Sequence, residues 1–161
     1  MSRFTANLAI FILSLIGCGI SLILTIKYVQ NADIPCMRSS SDCNAVAHDE
    51  AAWGLGIPAL RFVPTPALGA AMYASLAALS MLRVLTGSRS VSTKASVAQW
   101  ALGMSGVVVS TYLTWREAAV IHHWCVWCVG SAVIVLILFI ISSFERFGDT
   151  RIARKESLEA T

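Results

Sequence analysis

Hydrophobic positions in this chain gather into four long uncharged runs: Phe4 to Ile26, Phe62 to Leu82, Ala95 to Trp115 and His122 to Phe144. Each meets the roughly 20 residues that a helix needs to cross about 30 Å of hydrocarbon. Helices of a soluble bundle would carry polar outer faces instead. The pattern predicts an all-α membrane protein, a four-transmembrane-helix bundle with spans at about 4–29, 62–83, 95–116 and 124–144. Small residues at Gly17, Gly19, Ser21, Gly69, Ala70, Gly103 and Gly106 suit close helix approach in lipid. Pro64 and Pro66 fall in the first turn of the second span, where missing N–H groups cost little.

The segment between the first two spans, about 30–61, has its own pattern. Asn31, Asp33 and Pro35 stop the first helix. Met37 to Asp42 is polar and serine-rich. From Asn44 to Trp53 the pattern is helical, with Ala45, Val46, Ala52 and Trp53 on one face and His48, Asp49 and Glu50 polar. Ser41 or Asp42 can cap its start and Gly54 its end. A short helix of this kind lies flat at the membrane edge. Gly54, Gly56 and Pro58 then turn the chain back, so 43–60 reads as a cap over the outer mouth of the bundle. The tail 146–161 is short and charged and carries no fold signal. There is no internal repeat.

Composition supports the membrane reading: 57% of the residues are hydrophobic and 13% charged, about half the charge of a soluble domain. The spans hold no ionisable residue in their cores, which argues against a small transporter. Arg3, then Arg83, Arg89 and Lys94, then Arg146, Arg151, Arg154 and Lys155 flank the spans. By the positive-inside rule both termini and the 83–94 loop face the cytoplasm, and 27–61 and 116–123 lie outside. These anchors account for the net charge of +3, and no basic groove with interleaved aromatics points to nucleic acid. The first run is too long for a secretory h-region and no Ala-x-Ala site follows it, so we expect a mature helix.

Four of the five cysteines fall at the outer side, where disulfides persist. Cys125 and Cys128, three apart, share one helix face in the first turn of the fourth span. A helix N-terminus stabilises a thiolate there and makes it a nucleophile. Trp124 and Trp127 offer flat apolar walls. Cys36 and Cys43 form the distant pair, and Cys18, deep in the first span, reads as a packing residue. Purely structural disulfides in a membrane scaffold, and a zinc site drawing on Cys36, Cys43, Cys125, Cys128, His122 or His123, are the competing readings. Only one pair has zinc-like spacing, so no metal is expected. Val129 stands where a c-type haem motif needs histidine. His122 and His123 read as a solvated turn.

The arrangement resembles the vitamin K epoxide reductase family in its bacterial form. The matching residues are Cys36 and Cys43, Gly56-Ile57-Pro58, Tyr112-Leu113-Thr114-Trp115 and Cys125-Val126-Trp127-Cys128. The resemblance covers about 8–145, within a membrane domain of 1–145. It implies a four-helix bundle around a quinone, ubiquinone or menaquinone, as electron acceptor. It implies that Cys125 and Cys128 reduce the quinone while Cys36 and Cys43 pass electrons from a thioredoxin-like, DsbA-type partner. Some family members carry that partner fused; as this chain continues only to Thr161, the partner is expected in trans. Expected quinone contacts are Trp124, Trp127, Trp53, Asp49 and Thr65. Asp49 falls where the family has Ser or Thr. Thr65 and Ala132 stand near the places of the quinone-facing Asn and Tyr of the vertebrate enzymes, so quinone rather than epoxide is the expected substrate. A DsbB-type quinone reductase also has four spans and two pairs, but in reversed order. The expected location is the inner (plasma) membrane, with the site facing the periplasm or outside.

Overall fold

The computed structural model describes the backbone of residues 3–35, 43–86 and 89–159 and the side chains of 4–35, 43–86 and 91–148. Four long helices dominate: α1 (Arg3–Val29), α3 (Thr65–Leu85), α4 (Arg89–Arg116) and α5 (Val126–Glu159), with a short α2 (Cys43–Ala47) after the first. The main packing runs α1 on α3, α3 on α4, α4 on α5 and α5 back on α1, a closed ring of four. Among the described residues every regular element is helical.

Three helices are long and apolar enough to cross a membrane: Phe4–Val29, Thr65–Leu85 and Val126–Gly148. α4 matches them in length but carries Ser96, Gln99, Ser105, Ser110 and Thr111, which dilute its hydropathy. Large apolar side chains point outward on all four long helices, among them Ile12, Ile23, Leu85, Val108 and Phe144. Such a belt suits lipid and not water.

Close packing inside the ring rests on small residues. A Cβ on Gly17 would stand 2.6 Å from the ring of Tyr73 on α3, and one on Gly106 would stand 2.6 Å from Val135 on α5. Gly19, by contrast, has open space beside it.

Several boundaries differ from expectation. α3 starts at Thr65 rather than 62, because Pro64 occupies its cap with extended backbone. α4 starts six residues early, at Arg89. α5 starts at Val126 rather than Trp124 and continues to Glu159, so the charged tail extends the last helix. The helix expected over 44–53 is broken: α2 ends at Ala47, and a separate 3₁₀ turn spans Glu50–Ala52. Asp49 causes the break by accepting the Ala51 N–H at 2.9 Å, a local bond that competes with helix continuation.

Two more 3₁₀ turns, Gly54–Gly56 and Pro58–Leu60, complete a lid over one end of the ring. Gly54, Leu55 and Gly56 have φ of +58°, 59° and +76°. Glycine is required at 54, where a Cβ would lie 2.3 Å from the Leu60 backbone. The lid is pinned to the start of α3 by Gly54 N–H to Val63 O at 2.8 Å and by Thr65, whose hydroxyl donates to Ala51 O at 2.7 Å.

At the opposite end, Arg83 departs from its expected place as a loop anchor: it is 8% exposed. It donates to Asn7 Oδ1 at 3.2 Å on α1 and Gln99 Oε1 at 2.9 Å on α4, and pairs with Glu145 at 3.1 Å on α5. Ser80 on α3 adds a bond to the Asn7 carbonyl. One guanidinium thus ties all four long helices.

Candidate functional site

Beneath the lid the ring holds a cavity of about 290 Å³. Its walls are mostly apolar side chains such as Leu24, Leu68, Met72, Leu102, Val109 and Leu113, with Ser21, Ser105, Ser110 and Ser131 among them and charged groups at the lid end. That is the composition of a site for a flat organic molecule.

Two cysteines stand at its edge, one turn apart. Cys125 sits just before α5, and its carbonyl accepts the Val129 N–H at 3.0 Å, the first bond of that helix. Cys128, in the first turn, lines the cavity. Cys125 is 1% exposed. A hydrogen bond from the Cys128 thiol holds its pKa below the ordinary thiol range; burial opposes this, and the N–H groups of Cys128 and Trp127 assist. The helix start therefore contributes, but the neighbouring thiol contributes most.

Cys43 is disulfide-bonded, whereas Cys18, Cys125 and Cys128 are free thiols. Cys36 lies outside the described residues, as do Ser41 and Asp42. Cys43 and Cys125 belong to one buried apolar cluster with Leu24, Tyr28, Ile34, Val46 and Ala52, and Cys128 packs against it. Cys18 lies elsewhere, with its thiol toward Ala70 O at 3.8 Å on α3.

Of the expected quinone contacts, Asp49, Thr65 and Trp127 line the cavity; Trp53 and Trp124 are absent from its walls. Trp53 packs on Tyr28 with ring centroids 6.3 Å apart. Trp124 is exposed, because α5 starts two residues later than expected. His122 and His123 are also exposed. Among the described residues no group of three or more His, Cys, Asp or Glu could hold a metal.

Three groups were not singled out by sequence. Tyr28 lines the cavity from α1. Arg116, at the end of α4, bonds Asp49 at 2.8 Å and so latches the lid to the ring. Glu117 opens a π-helical turn, Glu117–Ile121, and is 2% exposed. Its Oε2 accepts the Cys125 N–H at 3.0 Å, and the Cys128 thiol is its other polar neighbour. Burial pushes its pKa above the usual carboxylate range, against the pull of those two groups.

Family comparison matches residues 8–143 to the vitamin K epoxide reductase family. The chain belongs to that family. No curated protein matches it in a whole-sequence search. Membership makes this vitamin K epoxide reductase homologue a membrane oxidoreductase, with quinone-linked, disulfide-forming chemistry typical of its family. In this member, two free thiols, a disulfide-bonded cysteine and an apolar cavity meet at one end of the bundle.

Proposed function

We propose that this protein is a quinone-dependent thiol–disulfide oxidoreductase that re-oxidises a thioredoxin-like partner. Its net reaction is partner dithiol plus quinone to partner disulfide plus quinol. The partner reduces a Cys36–Cys43 disulfide; the Cys43 thiolate then attacks Cys125, forming a mixed disulfide and freeing Cys128. Closure of Cys36 on Cys43 releases Cys125, and both electrons now reside on the inner pair. The Cys128 sulfur adds to the quinone ring, and Cys125 attacks the Cys128 sulfur, closing their disulfide as quinol leaves.

One observation carries the reading: bonded Cys43 and free Cys125 share a buried cluster at the mouth of an apolar cavity that Cys128 lines. This bond pattern is also that of the step just before quinone reduction. Asp49, Thr65, Tyr28 and Trp127 are the quinone contacts the cavity supports. We place α4 as the fourth span, since it sits in the ring between two candidate spans. Both termini then face the cytoplasm, with the lid on the outer face of the inner membrane.

The test is a thiol count on reduced protein in lipid before and after adding quinone. Two thiols should disappear per quinol formed. An unchanged count with quinone present would leave the cysteines as structural.

A further inference from the structure

Taking the quinone reading of this site as its basis, we propose that Glu117 is a catalytic proton carrier for the Cys125–Cys128 couple, holding one of the two protons that end on the quinol. The carboxyl is buried, accepts the Cys125 backbone N–H at 3.0 Å, and lines the same cavity as Cys128. Among the described residues it makes no ion pair with a cation. Arg116, its chain neighbour, is engaged with Asp49 instead. A structural role for the turn would not require a carboxyl here. Its Cys125 contact needs only an acceptor oxygen, which an amide also supplies.

Charge decides where the protons sit. A Cys125 thiolate and a Glu117 carboxylate side by side in a buried site repel each other, so one proton is shared between them. Burial raises the Glu117 pKa and the Cys128 thiol lowers that of Cys125, so the two shifts narrow the gap across which a proton passes between them. The ionisable groups packed around Glu117 are Tyr28 from α1, Asp49 from the lid, Arg116 and its neighbour Tyr112 from α4, and Cys125 and Cys128 at the start of α5, with His48, Glu50, His122 and His123 further out at this end.

In the proposed cycle the reduced site reacts as a Cys125 thiolate, a Cys128 thiol and a Glu117 acid. The Cys128 sulfur bonds to a ring carbon, and its proton passes to a ring oxygen. The Cys125 thiolate attacks the Cys128 sulfur; the S–S bond forms, the C–S bond breaks, and its electron pair stays on the ring. Glu117 donates its proton to the second ring oxygen. Quinol leaves with two electrons and two protons, and the two thiol protons of the next partner dithiol reload Cys128 and Glu117.

The experiment follows quinone reduction by full-length protein in liposomes, with a small permeant dithiol as reductant, across pH. Glu117→Gln keeps the side-chain shape and the acceptor for the Cys125 N–H. We expect kcat to fall about 10²-fold, the scale of a lost acid–base group, with KM within about threefold of wild type. Wild-type kcat should decline as pH rises through the raised Glu117 pKa, and the variant should lack that limb. Glu117→Asp should recover part of the rate. A Glu117→Gln rate within about threefold of wild type, with the alkaline limb intact, overturns the proton role. Should Glu117→Gln fail to fold, infrared difference spectra of the wild type decide. A neutral carboxyl band present in the reduced protein should vanish on oxidation by quinone, and an unchanged band overturns the proposal. A wild type that passes no electrons to quinone overturns the parent reading; a competent wild type with an indifferent variant overturns only the role of Glu117.

Discussion

Cys125 and Cys128 are one turn apart but face different surroundings: the first is buried toward the lid cluster, the second lines the cavity. Replacing Cys128 by alanine should abolish quinone reduction while leaving Cys125 able to form a stable mixed disulfide with Cys43, detectable by non-reducing mass spectrometry. Activity retained in purified Cys128→Ala protein would remove Cys128 from the reaction. Because the Cys125 pKa is lowered, its thiolate persists at pH values below the ordinary thiol range and is lost only as pH falls through that lowered value. An ultraviolet thiolate titration of reduced protein should show this component, and Cys125→Ser should remove it. At this scale the cysteines were legible because they are few and their spacing is informative. Glu117 was not. A lone acid eight residues before Cys125 reads as a loop charge, and only the π-helical turn brings it inward.

At the scale of elements, the lid shows how one side chain redirects a pattern. Periodicity over 44–53 is helical, yet Asp49 accepts the Ala51 N–H and ends the run, freeing its second oxygen for Arg116. Hydrophobic pattern cannot register that competition, because both partners are polar and 67 residues apart. The Asp49–Arg116 bridge is partly shielded from solvent, so a double-mutant cycle combining Asp49→Asn with Arg116→Met should give a coupling of about 1 kcal/mol. Either single replacement should loosen the lid, read as faster proteolysis at 50–60. Gly54→Ala should be more harmful, costing about 1–3 kcal/mol. It places a Cβ 2.3 Å from the Leu60 backbone at positive φ, and thermal unfolding in detergent would measure the loss.

For the whole molecule, four uncharged runs anticipated four long helices, and loop charge anticipated which ends lie together. What hydropathy missed was the polar clamp at the far end. A charge count assigns Arg83 to a loop, whereas burial of a guanidinium depends on acceptors from three other helices, one of them 76 residues away. Arg83→Met should destabilise the bundle by about 3 kcal/mol, because the Asn7, Gln99 and Glu145 oxygens lose a common donor inside the protein. Adding Glu145→Leu should restore much of that loss, as apolar replacement of a buried pair often does. Thermal melts of the single and double variants in one detergent would check both. The two ends are thus built differently: one is clamped by a buried ion network, the other closed by a latched segment over chemistry.

The Trp127 indole donates to the carbonyl of Pro35 at 2.9 Å. That residue directly precedes Cys36, while Trp127 directly precedes Cys128. A single ring therefore touches the backbone beside one sulfur pair and belongs to the motif of the other. Any shift of Pro35 on reduction alters that indole's hydrogen bond, so with the other four tryptophans replaced by phenylalanine its emission should time electron arrival without an attached dye.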